Sequence, residues 1–350
     1  LLQQADAAAA PGRIATFACD VLIAGGGLGG VAAALRAAAR GCRVCLLEET
    51  DWLGGQITAQ GLSALDEHQW MEEFGGTASY LELRRRIRNY YRPLLKEPPG
   101  EEAFNPGNAW VSRLCFEPRV GLRVIEQMLA PAIESGRLEV FRRTKPAKAL
   151  VRKASRGLRV RNLLAVHLDG GGWMRFRARH FLDATELGDL LPLLGERFVV
   201  GAEPASVTGE PHAYRAGRTP AEAAARAQSF TYTFAVSLEP GGHHQIARPP
   251  GYGRYASAGR YSFAYTYPGV ERTYRMFACS GDARPFWTYR RLVDASQFRP
   301  DAYPRDIAMI NWQGNDFCGP GLYSTAGGSQ ARGAGLPSLA ADRGAARRGR

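Results

Sequence analysis

Apolar and polar residues near the start of the chain alternate with the periods of a strand, a helix and a second strand. Residues 20–24 are a short apolar run, which predicts a buried strand. Residues 43–47 are again apolar and predict another strand after a stop at Gly41. A strand–helix–strand unit is therefore expected here. The apolar face of the helix between them comprises Val31, Ala34, Leu35 and Ala38.

Later patterns predict two more helices and four more strands before residue 200. In chain order, these are a helix with Leu83, Ile87 and Tyr91 on one face, a helix that begins near Pro118 and ends by Gly136, a third parallel strand at 138–141, a strand–turn–strand crossover at 163–168 and 173–177, and a strand at 181–185.

Beyond residue 200 the pattern becomes strictly alternating. Every second residue is apolar from Phe230 to Leu238, and every second residue is aromatic from Tyr261 to Tyr267. Such alternation is typical of half-buried antiparallel strands. A second, mainly antiparallel β domain is therefore predicted.

The glycine-rich turn after the first strand carries a dinucleotide fingerprint. Gly25, Gly27 and Gly30 satisfy G-x-G-x-x-G between a strand and a helix, and Glu48 ends the second strand 23 residues after the first of them. These glycines permit the tight turn, the approach of a pyrophosphate and close helix packing, in that order. The helix N-terminus would bind the phosphates and Glu48 a ribose. The predicted turn comprises Gly25, Gly26, Gly27, Leu28, Gly29 and Gly30.

The segment after Glu48 resembles the FAD-dependent oxidoreductases built like glutathione reductase. In those proteins a Leu-Gly-Gly segment follows the ribose-binding acid and runs along FAD, and residues 53–55 are Leu-Gly-Gly here. The chain is also similar to a bacterial subfamily of FAD-dependent oxidoreductases over residues 18–320. The matching stretches are 51–61 with 66–68, 105–108, 115–119, 181–191, 208–213, 311–312 and 315–316.

The resemblance implies FAD rather than NAD, because classical NAD dehydrogenases lack the Leu-Gly-Gly continuation. It implies an α/β fold: an FAD/NAD(P)-binding Rossmann-like three-layer domain with an inserted, mainly antiparallel β substrate domain. The activity would be hydride transfer between a small-molecule substrate and FAD. For Asp189, a helix cap is the alternative to a cofactor contact. Beyond the glycine turn, the implied cofactor-binding residues are Glu48, Glu49, Gly54, Gly55, Gln56, Ala184, Thr185 and Asp189.

Two histidines are the candidates for proton transfer. His68 follows the flavin-directed segment by a few residues, and histidine is the residue type most often used for proton transfer. His212 is the second candidate. The alternative for His68 is a surface histidine beside two acids. The electron acceptor stays open among O2, NAD(P) and a quinone. No metal site is expected, because the histidines show no ligand spacing beyond the pair His243-His244.

The formal net charge of +12 raises the alternative of an RNA-modifying flavoprotein. The chain lacks the motifs of such enzymes, so a nucleic-acid partner is not expected. Nine Lys/Arg and no acid lie between Arg142 and Arg161, which predicts a surface feature, and the cluster from Arg84 to Arg88 predicts a solvated helix face. No apolar run is long enough to span a membrane.

The domain boundaries predicted are a leader at 1–17, an FAD-binding domain with a β crossover at 18–200, a substrate or cap domain at 201–330 and a tail at 331–350. Fifteen of the last twenty residues are Ala, Gly or Arg, and they depart from the family's C-terminal return segment. An inactive, truncated FAD-binding protein is therefore a further alternative. The compartment stays open: the cytoplasm is favoured, and residues 1–10 are compatible with an export-signal remnant.

Overall fold

The computed structural model divides the chain into two compact units. The first lies within Leu1–Pro93 and Phe116–Glu196, and the second within Leu94–Cys115 and Arg197–Arg350. The predicted tail at 331–350 and most of the predicted leader lie outside the described residues. The structure describes residues 14–98, 104–155, 157–199, 203–213, 230–257, 264–266, 273–277, 284–311 and 316–317.

The first unit combines a parallel sheet, helices and a second sheet. Its elements, in chain order, are β1 (Ala15–Ala18), β2 (Val21–Ala24), α1 (Leu28–Ala39), β3 (Val44–Leu47), α2 (Ala78–Tyr91), α3 (Pro118–Glu134), β4 (Leu138–Phe141), β5 (Thr144–Lys153), β6 (Leu158–His167), β7 (Trp173–Arg177), β8 (His180–Asp183) and α4 (Leu190–Leu194). The parallel sheet has the strand order β4-β3-β2-β8, and the second sheet has the order β1-β7-β6-β5.

The parallel sheet follows the predicted order of elements. Helix α1 contacts β2 and β3, and α3 contacts α1 and β4. These strands and helices confirm the elements predicted from the period of apolar residues. The strand predicted at 181–185 is shorter than expected and ends at Asp183. The reason is that the Asp183 carboxylate accepts hydrogen bonds from the N–H and hydroxyl of Thr185, which turns the chain out of the sheet.

The second sheet covers one face of the parallel sheet. Leu163 and Phe176 pack in one buried cluster with Leu22 and Cys45. Strand β5 was not predicted, and β6 begins five residues earlier than expected. Residues 142–161 therefore form most of a hairpin rather than a connection before the crossover. Pro146 and the frequent cations of β5 interrupt its apolar alternation, so that pairing with β6 identifies it better than its own pattern does.

Helix α2 binds the segment before it through buried charge. The Arg84 side chain is only 3% exposed and donates to Glu67 Oε1 at 2.6 Å and to Glu72 Oε1 at 2.7 Å. The Tyr80 hydroxyl also donates to Glu67. The predicted solvated face is therefore wrong for Arg84, because two carboxylates from the preceding segment neutralise it. Arg85 stays exposed as expected.

The second unit contains short antiparallel strands. The elements are α5 (Ala205–Thr208), β9 (Phe230–Thr231), β10 (Phe234–Ser237), α6 (Tyr252–Ser257), β11 (Ala264–Thr266), β12 (Thr273–Arg275), β13 (Arg291–Val293), β14 (Ile307–Ile310) and β15 (Asp316–Phe317). The strands pair in the orders β10-β14-β13, β11-β12 and β9-β15. The continuous strand predicted from Phe230 to Leu238 is interrupted at residues 232–233, because its two parts pair with different strands.

The predicted fold class is confirmed. A Rossmann-like parallel sheet lies between helices and a crossover sheet in the first unit, and antiparallel pairs form the strands of the second. The aromatic residues of the alternating segment are more exposed than the predicted half-burial, since Tyr232 and Phe234 are 58% and 50% exposed. Among the described residues, no helix is both long and apolar enough to cross a bilayer.

Candidate dinucleotide site

The glycine turn lies against the end of β8 in contacts that exclude a side chain. Gly25 has a φ of +99°, and a methyl group on it would lie 2.2 Å from the carbonyl oxygen of Ala184. A methyl group on Gly30 would lie 1.9 Å from the carbonyl oxygen of Gly25. A normal carbon–oxygen contact is about 3.3 Å or longer. The turn, the helix and the strand can therefore pack this closely only with glycine at both positions.

The Leu-Gly-Gly segment folds onto the glycine turn. The N–H of Gly54 donates to the carbonyl oxygen of Gly26 at 2.8 Å. A methyl group on Gly55 would lie 3.0 Å from the Cα of Gly27. Two glycine-rich stretches that are far apart in the sequence thus form one bare backbone surface. Gln56 is exposed at the end of this segment.

Glu48 is buried at the end of β3 and holds the glycine turn. Its Oε2 accepts the N–H of Gly26 at 2.8 Å, and its Oε1 accepts the N–H and the hydroxyl of Thr50 at 2.8 and 2.7 Å. Each carboxylate oxygen can accept two hydrogen bonds. Oε2 thus keeps one acceptor position for a ribose hydroxyl.

The loop after β8 is fixed by Asp183 and Thr185. Asp183 Oδ2 accepts the N–H of Leu190 at 2.9 Å, and Thr185 Oγ1 accepts the N–H of Asp189 at 2.7 Å. Asp189 occupies the N-cap position of α4, but its side chain makes no capping hydrogen bond. Asp183, which the sequence did not indicate, therefore binds the first turn of the helix instead.

Lys145 links two of the predicted cofactor residues. Its Nζ lies 2.5 Å from Glu49 Oε2 and 3.0 Å from Asp189 Oδ2. Burial opposes the charge of Lys145, but the hydrogen bonds to Glu49 and Asp189 outweigh it, so the pKa of the ammonium group is raised. Lys145 was missed from the sequence because β5, which carries it, was missed.

A second carboxylate reaches the glycine surface. Glu186 Oε1 would lie 3.1 Å from a methyl group on Gly27 and 2.7 Å from one on Gly55. The residue follows Thr185 directly, and this adjacency was its only sequence signal. Glu186 therefore brings negative charge to the surface on which a pyrophosphate is expected. Its side chain is exposed and can turn away.

These elements enclose a cavity of about 160 Å³. Eight of the fourteen predicted cofactor residues line it, and the other six are not part of its lining: Gly26, Leu28, Gly29, Gly30, Gly54 and Gln56. The predicted residues in the lining are Gly25, Gly27, Glu48, Glu49, Gly55, Ala184, Thr185 and Asp189; those that were not predicted are Thr50, Ala59, Gln60, Thr144, Lys145, Pro146 and Glu186.

The family model for FAD dependent oxidoreductase matches residues 20–336. The chain belongs to this family. This membership confirms FAD as the cofactor and the oxidoreductases as the enzyme class, as the fingerprint and the Leu-Gly-Gly segment predicted. No curated protein matches the chain.

Solved structures similar to this FAD-dependent oxidoreductase are distant. L-proline dehydrogenase from P. horikoshii is 19% identical over 51% of this chain and 25% of its own, with a TM-score of 0.27. Thermovibrio ammonificans THI4 is 18% identical over 57% of this chain and 74% of its own, with a TM-score of 0.33. A geranylgeranyl bacteriochlorophyll reductase-like protein from Thermoplasma acidophilum is 18% identical over 49% and 40%, with a TM-score of 0.29. The oxidoreductase therefore spans a quarter of the first of these chains.

The residues of the oxidoreductase fit FAD. The bare backbone at Gly27 and Gly55 leaves room for a pyrophosphate, and the first N–H groups of α1 have no acceptor within the helix. The remaining acceptor position of Glu48 Oε2 suits a ribose hydroxyl. The geometry of this surface is therefore compatible with the cofactor of the family.

The two candidate histidines do not line the cavity. His68 is exposed, and its Nδ1 accepts the N–H of Trp70 at 3.2 Å, so the neutral ring carries its proton on Nε2. His212 is exposed in a turn of the second unit. Among the described residues, no group of three or more His, Cys, Asp or Glu is arranged to hold a metal ion.

Proposed function

We propose that this oxidoreductase transfers a hydride between a small-molecule substrate and FAD. The observation that supports it most strongly is the joining of Glu48, the glycine turn and the Leu-Gly-Gly segment by direct hydrogen bonds. When bound, FAD supplies the electron-pair chemistry. The residues of the chain bind and orient the cofactor.

Each cofactor contact has a separate physical task in this proposal. Glu48 holds the adenosine ribose through its remaining acceptor position, and the N-terminus of α1 attracts the pyrophosphate through its N–H groups and dipole. Lys145 keeps Glu49 and Asp189 paired at the rim of the cavity. This pairing neutralises two carboxylates that would otherwise repel the anionic cofactor.

Proton transfer is assigned to His68 in this proposal. With Nδ1 engaged by Trp70, Nε2 is the atom that donates or accepts the proton. His212 is the alternative, and O2, NAD(P) and a quinone are the alternative acceptors. Replacing His68 with Gln should lower kcat, with FAD content unchanged, because the proton donor or acceptor is lost. If His212→Gln lowered kcat in this way and His68→Gln behaved like the parent, proton transfer would be assigned to His212.

The cofactor part is tested with the full chain and its visible absorption spectrum. A two-band flavin spectrum and release of FAD on denaturation are expected. Glu48→Gln should weaken FAD binding by about 10-fold or more, because a charged acceptor is lost. Glu126→Gln is the matched control, since this exposed acid pairs with Arg142 outside the cavity.

The reaction part is tested by anaerobic bleaching of bound FAD with candidate alcohols, amines and hydroxy or amino acids. Bleaching by one compound, with recovery of the spectrum when an acceptor is added, is the expected result. A folded protein that cannot be reconstituted with FAD would contradict the proposal for this chain.

A further inference from the structure

The hairpin formed by β5 and β6 carries positive charge that the described part of the chain does not neutralise. Of the nine cations between Arg142 and Arg161, three have acidic partners, namely Arg142 with Glu126, Arg143 with Asp169 and Lys145 with Glu49. Arg156 lies outside the described residues. The other five form no ion pair with a described residue: Lys148, Arg152, Lys153, Arg159 and Arg161. Residues 148–155 and 157–161 are called the basic hairpin below.

The strand register opposes the stability of this hairpin. Arg152 stands directly opposite Arg159 across the antiparallel pair. Like charges in this position destabilise a hairpin, whereas one acid in place of either arginine would stabilise it. Pairing within the hairpin therefore does not account for its charge.

The end of the basic hairpin also exposes aliphatic side chains. Val151 stands opposite Val160, and Lys153 stands opposite Leu158. Because successive residues of a strand point to opposite faces, Val151 and its partner lie on the face opposite to the arginine pair. Val151 is 40% exposed and Leu158 is 49% exposed. Val151, Lys153 and Leu158 thus share one face of the hairpin end, and Arg152 and Arg159 lie on the other face.

This combination fits an anionic lipid surface better than a nucleic acid. Basic side chains bind anionic headgroups, and flanking aliphatic groups enter the boundary of the acyl chains. Single-stranded nucleic acids are bound by aromatic side chains on which bases stack, and residues 144–167 contain no Phe, Tyr or Trp. We propose that the basic hairpin docks this oxidoreductase onto an anionic membrane surface as a peripheral protein.

The test is co-sedimentation of the full chain with vesicles of phosphatidylcholine, with and without phosphatidylglycerol. Binding is expected only with phosphatidylglycerol, and it should weaken as salt screens the charges. The triple variant Arg152→Glu, Lys153→Glu and Arg159→Glu should bind more than about 100-fold more weakly. The control changes three exposed cations elsewhere by the same net charge and should keep most of the binding: Arg92→Glu, Lys96→Glu and Arg137→Glu.

A single variant distinguishes a specific loss of membrane binding from a loss caused by damage to the fold. Arg159→Glu places an acid opposite Arg152, so its melting temperature should equal or exceed that of the parent while its vesicle binding falls. Leu158→Ser should weaken binding to anionic vesicles without changing its salt dependence.

Three results would overturn the proposal. These are equal binding to both kinds of vesicle, no binding to either, and an equal loss of binding in the triple variant and its control. Binding of a mixed-sequence single-stranded RNA that the triple variant abolishes, without vesicle binding, would assign the basic hairpin to nucleic acid instead.

Discussion

Adding one methyl group at Gly30 tests whether the close packing of the glycine turn supports FAD binding. The added carbon would lie 1.9 Å from the carbonyl oxygen of Gly25. A normal contact needs about 3.3 Å, so helix and turn must separate by about 1.4 Å. The obstructing atom belongs to the backbone and cannot rotate away.

Two opposing effects set the size of the change in stability. Overpacking costs about 1–3 kcal/mol, and replacing a helical glycine with alanine returns about 0.5–1 kcal/mol. Gly30→Ala should therefore lower the free energy of unfolding by up to about 2.5 kcal/mol. Gly29→Ala is the matched control in the same helical turn, because nothing described lies within 4 Å of its added methyl group. It should gain about 0.5–1 kcal/mol.

Urea denaturation of the flavin-free protein measures both variants, and quenching of FAD fluorescence measures affinity. Because the displaced carbonyl of Gly25 belongs to the glycine turn, Gly30→Ala should bind FAD at least about 10-fold more weakly than the parent. If Gly30→Ala were as stable as Gly29→Ala and bound FAD like the parent, the close packing would not matter and the reasoning would be refuted.

Two further predictions concern charged side chains. The pKa of Lys145 is raised by Glu49 and Asp189 against the effect of burial, so its contribution to stability is complete below its ordinary pKa and is lost as pH rises through the raised value. Melting temperatures measured above about pH 10 should therefore fall more steeply in the parent than in Lys145→Met, and parallel curves would contradict this. Arg84→Met should destabilise the protein by about 3–5 kcal/mol, because the buried Glu67 and Glu72 carboxylates each lose an arginine, although Glu72 keeps Arg88. In urea denaturation, Arg85→Met, which removes an exposed pair, should change stability by less than about 1 kcal/mol.

Local sequence signals were sufficient to predict the glycine turn and the strands next to it. The apolar period predicted β2, α1 and β3, and the spacing from Gly25 to Glu48 predicted the elements that meet at the turn. Long-range pairing accounts for most of what was missed. Strand β5 is defined by β6, and with it the position of Lys145, whereas the contact of Glu186 with two glycine stretches depends on the turn after β8.

The burial of charge was likewise not predictable from helical period alone. Arg84 and Arg85 are adjacent cations on one helix, yet Arg84 is buried because Glu67 and Glu72 come from another segment to meet it. In the second unit, alternation located β9 and β10 but not their separate partners.

The close contact between Gly25 and the backbone of Ala184 has a consequence for folding during synthesis. Strand β8 is the last strand of the parallel sheet in chain order, and it pairs with β2, which is the first. Until the ribosome has delivered this strand, the glycine turn lacks the backbone against which it closes. We therefore expect the complete cofactor surface to form only when β8 joins the sheet, after the entropy cost of closing the long intervening segment has been met.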